Sequence, residues 1–224
     1  MSKNKLKKFA ELESFKHVVQ PTFDELDTNF YLKGKWRSDF FKNSFPITLE
    51  LGCGKGEYTT ELAKEFPQKN FIGIDIKGSR MWSGAKYANE NNLKNVAFLR
   101  TRVDMICKCF EKNEVDEIWI TFPDPQIKRK RVRKRLTHPI FLKKYSHILK
   151  PKSKIHLKTD SQFFYGFTLG VIASEGHMLD DATSDLYNSL VKREHLHIKT
   201  FYEKMFLKDG KPITYLCFRL NCQD

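Results

Sequence analysis

Three stretches of the chain place reactive or ligand-holding residue types at spacings that suit a group-transfer site. The first is Glu50-Leu-Gly-Cys-Gly-Lys-Gly56, with glycines at every second position. Glycine admits positive φ and lets the backbone approach a ligand closely. A dinucleotide-binding turn reads Gly-x-Gly-x-x-Gly and seats a pyrophosphate; here the third glycine comes one residue early. Asp75 stands twenty-one residues after Gly54, where a carboxylate can accept hydrogen bonds from both hydroxyls of a ribose. An ordinary strand-to-helix turn needs only one or two glycines, so three in five positions point to a ligand. The second stretch is Phe122-Pro-Asp-Pro-Gln-Ile-Lys128, in which two prolines hold Asp124 rigidly. The third comprises Lys158-Thr-Asp160 and Thr200-Phe-Tyr-Glu203. Thr-x-x-Glu is also the spacing of a helix capping box, and the two readings of Thr200 and Glu203 are compatible.

These residues require a frame. Apolar runs at 47–51, 70–75, 96–99, 115–121 and 154–159 read as strands. Helical spacing follows them at 57–66, 78–91, 105–110, 139–149 and 163–174. Further strands are expected near 177–180 and at 213–220. Serial βα units imply a mostly parallel sheet with helices on both faces. Its ligands bind beyond the carboxyl ends of the strands. The loops that carry Gly52–Gly56, Asp75, Asp104, Asp124 and Asp160 all follow strands, so they should converge on one edge. Asp104 could contact the ligand there or cap a helix. Residues 1–45 show scattered aromatics without a clean period and read as an extension, partly packed and partly mobile, ahead of a domain over 46–224.

Charge identifies a partner. Forty Lys and Arg against twenty-seven Asp and Glu give a formal +13, a field that attracts polyanions. Residues 128–135 hold seven cations in eight positions. The run lies beside the Asp124 loop and not at a chain end, so Lys130, Arg131, Arg133, Lys134 and Arg135 are expected to contact RNA phosphates. Five cysteines without a Cys-x-x-Cys pair suit neither a zinc site nor a disulfide framework, and no metal is expected. The amino terminus lacks the apolar run of a signal peptide, and the apolar stretch at 163–173 is too short to cross a bilayer. A cytoplasmic protein is expected, with monomer and homodimer both open.

The first-strand Glu50, the Gly52-x-Gly54-x-Gly56 turn and the acid Asp75 together resemble the class I S-adenosylmethionine methyltransferases. The resemblance implies a Rossmann-like, seven-stranded, mostly parallel sheet with the last strand antiparallel. It makes S-adenosylmethionine the expected cofactor, held by Glu50, Gly52, Gly54, Gly56, Asp75, Asp104 and Asp124. The second and third stretches narrow it. Pro-Asp-Pro-Gln-Ile-Lys128 with its basic run and Arg135-Leu136, Lys158-Thr-Asp160, and Thr200-Phe-Tyr-Glu203 resemble the bacterial tRNA (guanine-N7)-methyltransferases, in that family's order. Gln126 and Ile127 stand where the family usually has Trp and Pro. The resemblance implies methylation of N7 of a variable-loop guanine in tRNA. It puts Asp124 at the methyl-transfer point and Lys128, Asp160, Thr200, Phe201, Tyr202 and Glu203 on the guanine side.

Two other functions share part of this pattern. One is methylation of another base, such as an exocyclic adenine amine; Phe-Pro-Asp-Pro lacks the aromatic that would stack on a flipped base there. The other is a non-catalytic RNA-binding subunit, which would have no need of the glycine turn and Asp75.

Overall fold

The alternation of apolar strands and amphipathic helices folds into one eight-stranded sheet flanked by helices. A computed structural model describes residues 3–221; Cys222 lies outside the described residues. In chain order the elements are α1 (Lys3–Ser14), β1 (Val18–Val19), α2 (Phe23–Thr28), a π-helical segment Trp36–Phe41, β2 (Ile47–Leu51), α3 (Glu57–Glu65), β3 (Asn70–Ile74), α4 (Gly78–Glu90) and β4 (Val96–Leu99). There follow α5 (Ile106–Cys109), β5 (Val115–Thr121), α6 (Pro139–Ile148), β6 (Leu149–Thr159), α7 (Gln162–Ser174), β7 (Met178–Thr183), α8 (Phe201–Lys208) and β8 (Thr214–Arg219).

The strand order is β1-β4-β3-β2-β5-β6-β8-β7. Every pairing from β1 to β6 is parallel, and β8 runs antiparallel to both of its neighbours. The expected seven strands with an antiparallel last one are all present, and β7 runs parallel to the rest. The eighth strand comes from the amino-terminal segment.

Side-chain alternation divides the core between the two faces of the sheet. Ile118, Ile120, Ile155, Leu157, Leu216 and Phe218 pack on one side with α6, α7 and Trp36. Trp119, Tyr215 and Cys217 pack on the other with α3, α4 and the segment carrying Leu196 and Ile198. The second face is also the one to which His156 and Lys158 of β6 turn.

The described residues from Leu6 to Phe45 pack against this core. Phe98 N–H donates to His17 and Arg100 N–H to Val19, which fixes β1 on the edge beside β4. Leu12 of α1 is fully buried, and Trp82 of α4 donates its indole N–H to Glu11 at 2.8 Å. Trp36 is also fully buried; its indole donates to the Cys109 carbonyl at 3.0 Å and stacks on Phe110. No helix among the described residues is long and apolar enough to cross a membrane.

Candidate active site

The carboxyl ends of β2, β3, β4 and β5 open onto one cleft of about 820 Å³. The turn after β2 forms its floor. Gly52, Gly54 and Gly56 all adopt positive φ, but they serve different ends. A Cβ at Gly54 would meet nothing nearer than a backbone oxygen at 4.0 Å, so this backbone is open to a ligand. A Cβ at Gly56 would lie 2.5 Å from the Phe98 ring. Gly56 is therefore a packing requirement between α3 and the sheet, and it is absent from the cleft lining, unlike Gly52 and Gly54.

Glu50 closes the bottom of the cleft and is almost wholly buried. Its carboxylate accepts hydrogen bonds from the Thr121 hydroxyl and from the Thr59 hydroxyl and N–H, the last at 2.9 Å. Burial pushes the Glu50 carboxyl up to about 7, and the hydroxyl and N–H donors limit the rise. Asp75 accepts from the Gly54 N–H at 2.9 Å and the Lys77 N–H at 2.8 Å. A carboxylate has about four acceptor positions, so Asp75 pins the glycine turn and still has capacity for hydroxyl donors. Asp104 lies in a 3-10 turn, Val103–Met105, and does not cap it; its carboxylate pairs with Arg102 at 2.5 Å. Ile76, Val103 and Leu136 add apolar lining against which a flat purine can pack. An open glycine backbone, a carboxylate beside it and this apolar wall suit the ribose, cation and adenine of S-adenosylmethionine.

The loop after β5 forms the opposite wall. Phe122 and Gln126 take φ of 46° and 47°, left-handed conformations that cost on the order of 1–3 kcal/mol each in non-glycine residues. Between them Asp124 is exposed and lines the cleft, and its Oδ1 accepts from the Gln126 N–H at 3.0 Å.

The basic run that follows is a 3-10 segment, Arg129–Lys134. Lys128, Lys130, Arg131, Arg133 and Lys134 are exposed, and Arg133 and Lys134 reach the cleft. Arg135 is placed otherwise. Only 6% exposed, it donates from Nε and Nη2 to the Gln126 carbonyl and from Nη2 to that of Ile127. The expectation of an RNA contact fits the exposed cations and not this buried one.

The segment between β7 and β8 returns over the cleft and supplies Thr200 and Tyr202 to its lining. Thr200 caps α8 by accepting from the Glu203 N–H at 3.2 Å. The capping box is only half made, because the Glu203 side chain turns inward. It pairs with Lys158 Nζ at 2.7 Å, both side chains fully buried, and accepts from the Tyr187 hydroxyl at 2.5 Å. Lys158 also donates to the carbonyls of Leu196 and Ile198 at 3.2 and 2.9 Å. Burial pulls its ammonium below the usual value, and the Glu203 carboxylate opposes that. Glu203 thus stands behind the cleft wall and not on it, with Oε2 lacking a hydrogen-bond partner among the described residues.

Asp160 follows β6, half-buried and outside the lining. Phe201 is exposed; its N–H donates to Glu57 at 2.7 Å, and Lys55 lies 4.2 Å above its ring. Sequence reasoning missed Thr59 and Thr121, the donors to Glu50. The position of Thr121 at the carboxyl end of a central strand was the available signal.

Residues 44–216 match the family described as "Putative methyltransferase". The chain is 57% identical to the tRNA (guanine-N(7)-)-methyltransferase of Christiangramia forsetii, over 98% of this chain and 99% of that one. It is 48% identical to the protein of the same name from Bacteroides thetaiotaomicron, over 98% and 87%. Among solved structures the 16S rRNA methyltransferase KamB superposes with a TM-score of 0.62 at 16% identity, covering 84% of this chain and 92% of that one. A methyltransferase from Aquifex aeolicus described as SAM dependent does so with 0.54 at 14%, covering 88% and 98%. Those likenesses concern the fold. With the glycine turn, Asp75 and the Asp124 loop around one cleft, and with such identity over nearly the whole length, the chain belongs to the tRNA (guanine-N(7)-)-methyltransferase family.

Proposed function

We propose that this protein transfers a methyl group from S-adenosylmethionine to N7 of a guanine in tRNA, the variable-loop guanine, in the cytoplasm. The observation that carries the reaction class is the 57% identity to the Christiangramia forsetii enzyme over nearly the full length of both chains. The cleft lined by both the glycine turn and the Asp124 loop supports the assignment of roles.

S-adenosylmethionine supplies an electrophilic methyl group on a sulfonium. Glu50, Gly52, Gly54, Asp75 and Asp104 hold it on the β2–β4 side, with Gly56 acting through packing. Guanine N7 carries a free lone pair at neutral pH, so the protein has no proton to remove before transfer. Its tasks are alignment and exclusion of water. Asp124 stands at the transfer point, where a carboxylate favours both the cationic ligand and the positive charge that develops on the purine.

The Watson–Crick edge of guanine presents N–H donors at N1 and N2, for which carboxylate and hydroxyl oxygens are suitable acceptors. Thr200 and Tyr202 serve that side from the lining; Glu203, buried behind them, positions their segment through Lys158, with Asp160, Phe201 and Lys128 at the margin. Lys130, Arg131, Arg133 and Lys134 hold the RNA backbone.

Product identity tests the proposal. Unmodified tRNA is incubated with protein and S-adenosylmethionine, digested to nucleosides and analysed by mass spectrometry. The expected product is 7-methylguanosine, lost in Asp124→Ala, with the rate falling far more than the affinity for S-adenosylmethionine. A different methylated nucleoside would overturn the N7 assignment. An undiminished Asp124→Ala would overturn the placement of Asp124.

A further inference from the structure

We infer that Arg135 is a positioning residue for the methyl-transfer loop and not a phosphate ligand. The inference rests on the reading above that Asp124 stands at the transfer point.

By sequence Arg135 is the last of seven cations and looks like its neighbours. The structure separates it from them in three ways. It is buried, whereas Lys128, Arg129, Lys130, Arg131, Arg133 and Lys134 are exposed. Its guanidinium lies 4.6 Å from the Phe163 ring centroid and 4.4 Å from that of Phe167. Those rings sit one turn apart on α7 and so present neighbouring faces. Its donors reach the Gln126 carbonyl at 3.2 and 3.3 Å and the Ile127 carbonyl at 3.4 Å.

Those two carbonyls belong to the strained part of the acceptor loop. Gln126 holds a left-handed φ of 47°, and its N–H donates to Asp124. A left-handed non-glycine residue persists only where its surroundings over-determine it. Arg135 supplies that determination: a planar fork bridges two successive carbonyls while two aromatic faces on α7 orient the fork. The chain of contacts runs from α7 through Arg135 to Gln126 and on to the Asp124 carboxylate. A shift in this chain would displace Asp124 without changing the exposed charge near the RNA.

The test compares Arg135→Met, Arg135→Lys and the double variant Phe163→Leu/Phe167→Leu with Arg131→Met, in the full-length protein. The readouts are kcat, the KM for tRNA, and tRNA affinity across a salt series, with S-adenosylmethionine affinity as the control for folding. A misplaced catalytic group costs up to about a hundredfold in rate, so Arg135→Met is expected to lower kcat on the order of ten- to a hundredfold. Its salt slope should stay that of the parent. Lysine keeps the charge but cannot bridge two carbonyls as a fork, so Arg135→Lys should remain impaired. The aromatic double variant should lose kcat with every cation in place, and it carries the test if Arg135→Met does not fold. Arg131→Met should show the opposite pattern, weaker binding and a slope lower by about 0.7–0.9.

The inference is overturned if Arg135→Met behaves like Arg131→Met, if Arg135→Lys restores full activity, or if kcat is unchanged in all three. Asp124→Ala measured alongside separates the two readings. Full activity there strikes the placement of Asp124, whereas an inactive Asp124→Ala beside a fully active Arg135→Met strikes the clamp alone.

Discussion

On the cofactor side of the cleft the chain turns at Gly52 and Gly54, which take left-handed φ because they lack a Cβ, and Asp75 pins the turn through the Gly54 N–H. On the acceptor side the turns at Phe122 and Gln126 take the same region of φ without glycine. Both are held from outside: Phe122 through its N–H on the Lys158 carbonyl at 2.8 Å, Gln126 by Arg135 on its carbonyl and by α7 behind Arg135. The segment over the cleft follows the second pattern. Thr200 and Tyr202 face inward, while Lys158 grips the carbonyls of Leu196 and Ile198 and the Glu203 carboxylate behind them. One side is built from residues that tolerate the required backbone, the other from distant residues that enforce it. A cofactor common to many reactions can be met by a local turn. An acceptor wall must be set relative to it, and that takes contacts from other elements.

The largest effect should come from the enforcing contacts. Lys158→Met would leave the Glu203 carboxylate buried without its cation, which destabilises proteins by about 3–5 kcal/mol. Urea unfolding should show this as a lowered midpoint, with most of the loss recovered in Lys158→Met/Glu203→Leu. An unchanged midpoint in the single variant would mean that the pair is not what holds the segment. On the cofactor side the effect should be smaller and divided. Gly56→Ala forces a Cβ against Phe98 and Gly84, and overpacking of this kind costs about 1–3 kcal/mol. Gly54→Ala has room for its methyl but must hold a φ of 55°, so it should lose only the backbone term of about 1–2 kcal/mol, less than Gly56→Ala, which adds a clash to the same strain, while weakening S-adenosylmethionine binding. If both glycine variants lost stability equally, the division between a packing glycine and a ligand-facing one would fail.

The same contrast governs what the sequence discloses. Strands β2 to β5 were legible because fully buried parallel strands are short apolar runs, and the glycine turn because its backbone demands a residue type. The expected strand at 154–159 begins earlier, at Leu149; Pro151 and the exposed lysines beside it disguise the first half. Beyond the twelve-residue α1, the segment up to residue 45 showed no period because its elements are short and held by tertiary contacts, as Trp36 is by Cys109 and Phe110. The Asp124 loop was recognisable as a motif, and its supports were not. Nothing in a run of seven cations marks Arg135 as the buried one, since that follows from Phe163 and Phe167 on a later helix. Nor does a Thr-x-x-Glu spacing reveal that Glu203 faces Lys158 and not its own helix terminus.

A smaller effect tests the exposed remainder of the basic run. Replacing Lys130, Arg131, Arg133 and Lys134 with neutral residues should weaken tRNA binding and flatten the dependence of log affinity on log salt by about 0.7–0.9 per lost phosphate contact. Fold stability should stay near the parent value because these side chains are exposed, and cofactor binding should be spared when only Lys130 and Arg131, which lie outside the cleft lining, are replaced. Unchanged affinity and slope would make the run a solvated loop.

The smallest effect concerns Glu50, where the locally built side of the cleft holds a titrating group. Burial raises its carboxyl to about 7, so the folded protein favours the protonated form. The sign follows: the contribution to stability is greatest below about 4.5 and is lost as pH rises through about 7. A cationic ligand in the same cleft favours the ionised form. S-adenosylmethionine binding should therefore release roughly half a proton per site near pH 7, where the group is about half protonated, and almost none two units higher. Calorimetric titration in buffers of different ionisation enthalpy reads this number directly. S-adenosylhomocysteine, which lacks the sulfonium charge, should release less, and Glu50→Gln should abolish the release. Equal proton release by the two ligands would locate the coupling at the amino-acid end common to both and not at the sulfonium. An undiminished release from Glu50→Gln would remove Glu50 from the electrostatics of the site and leave it only the hydrogen bonds to Thr59 and Thr121.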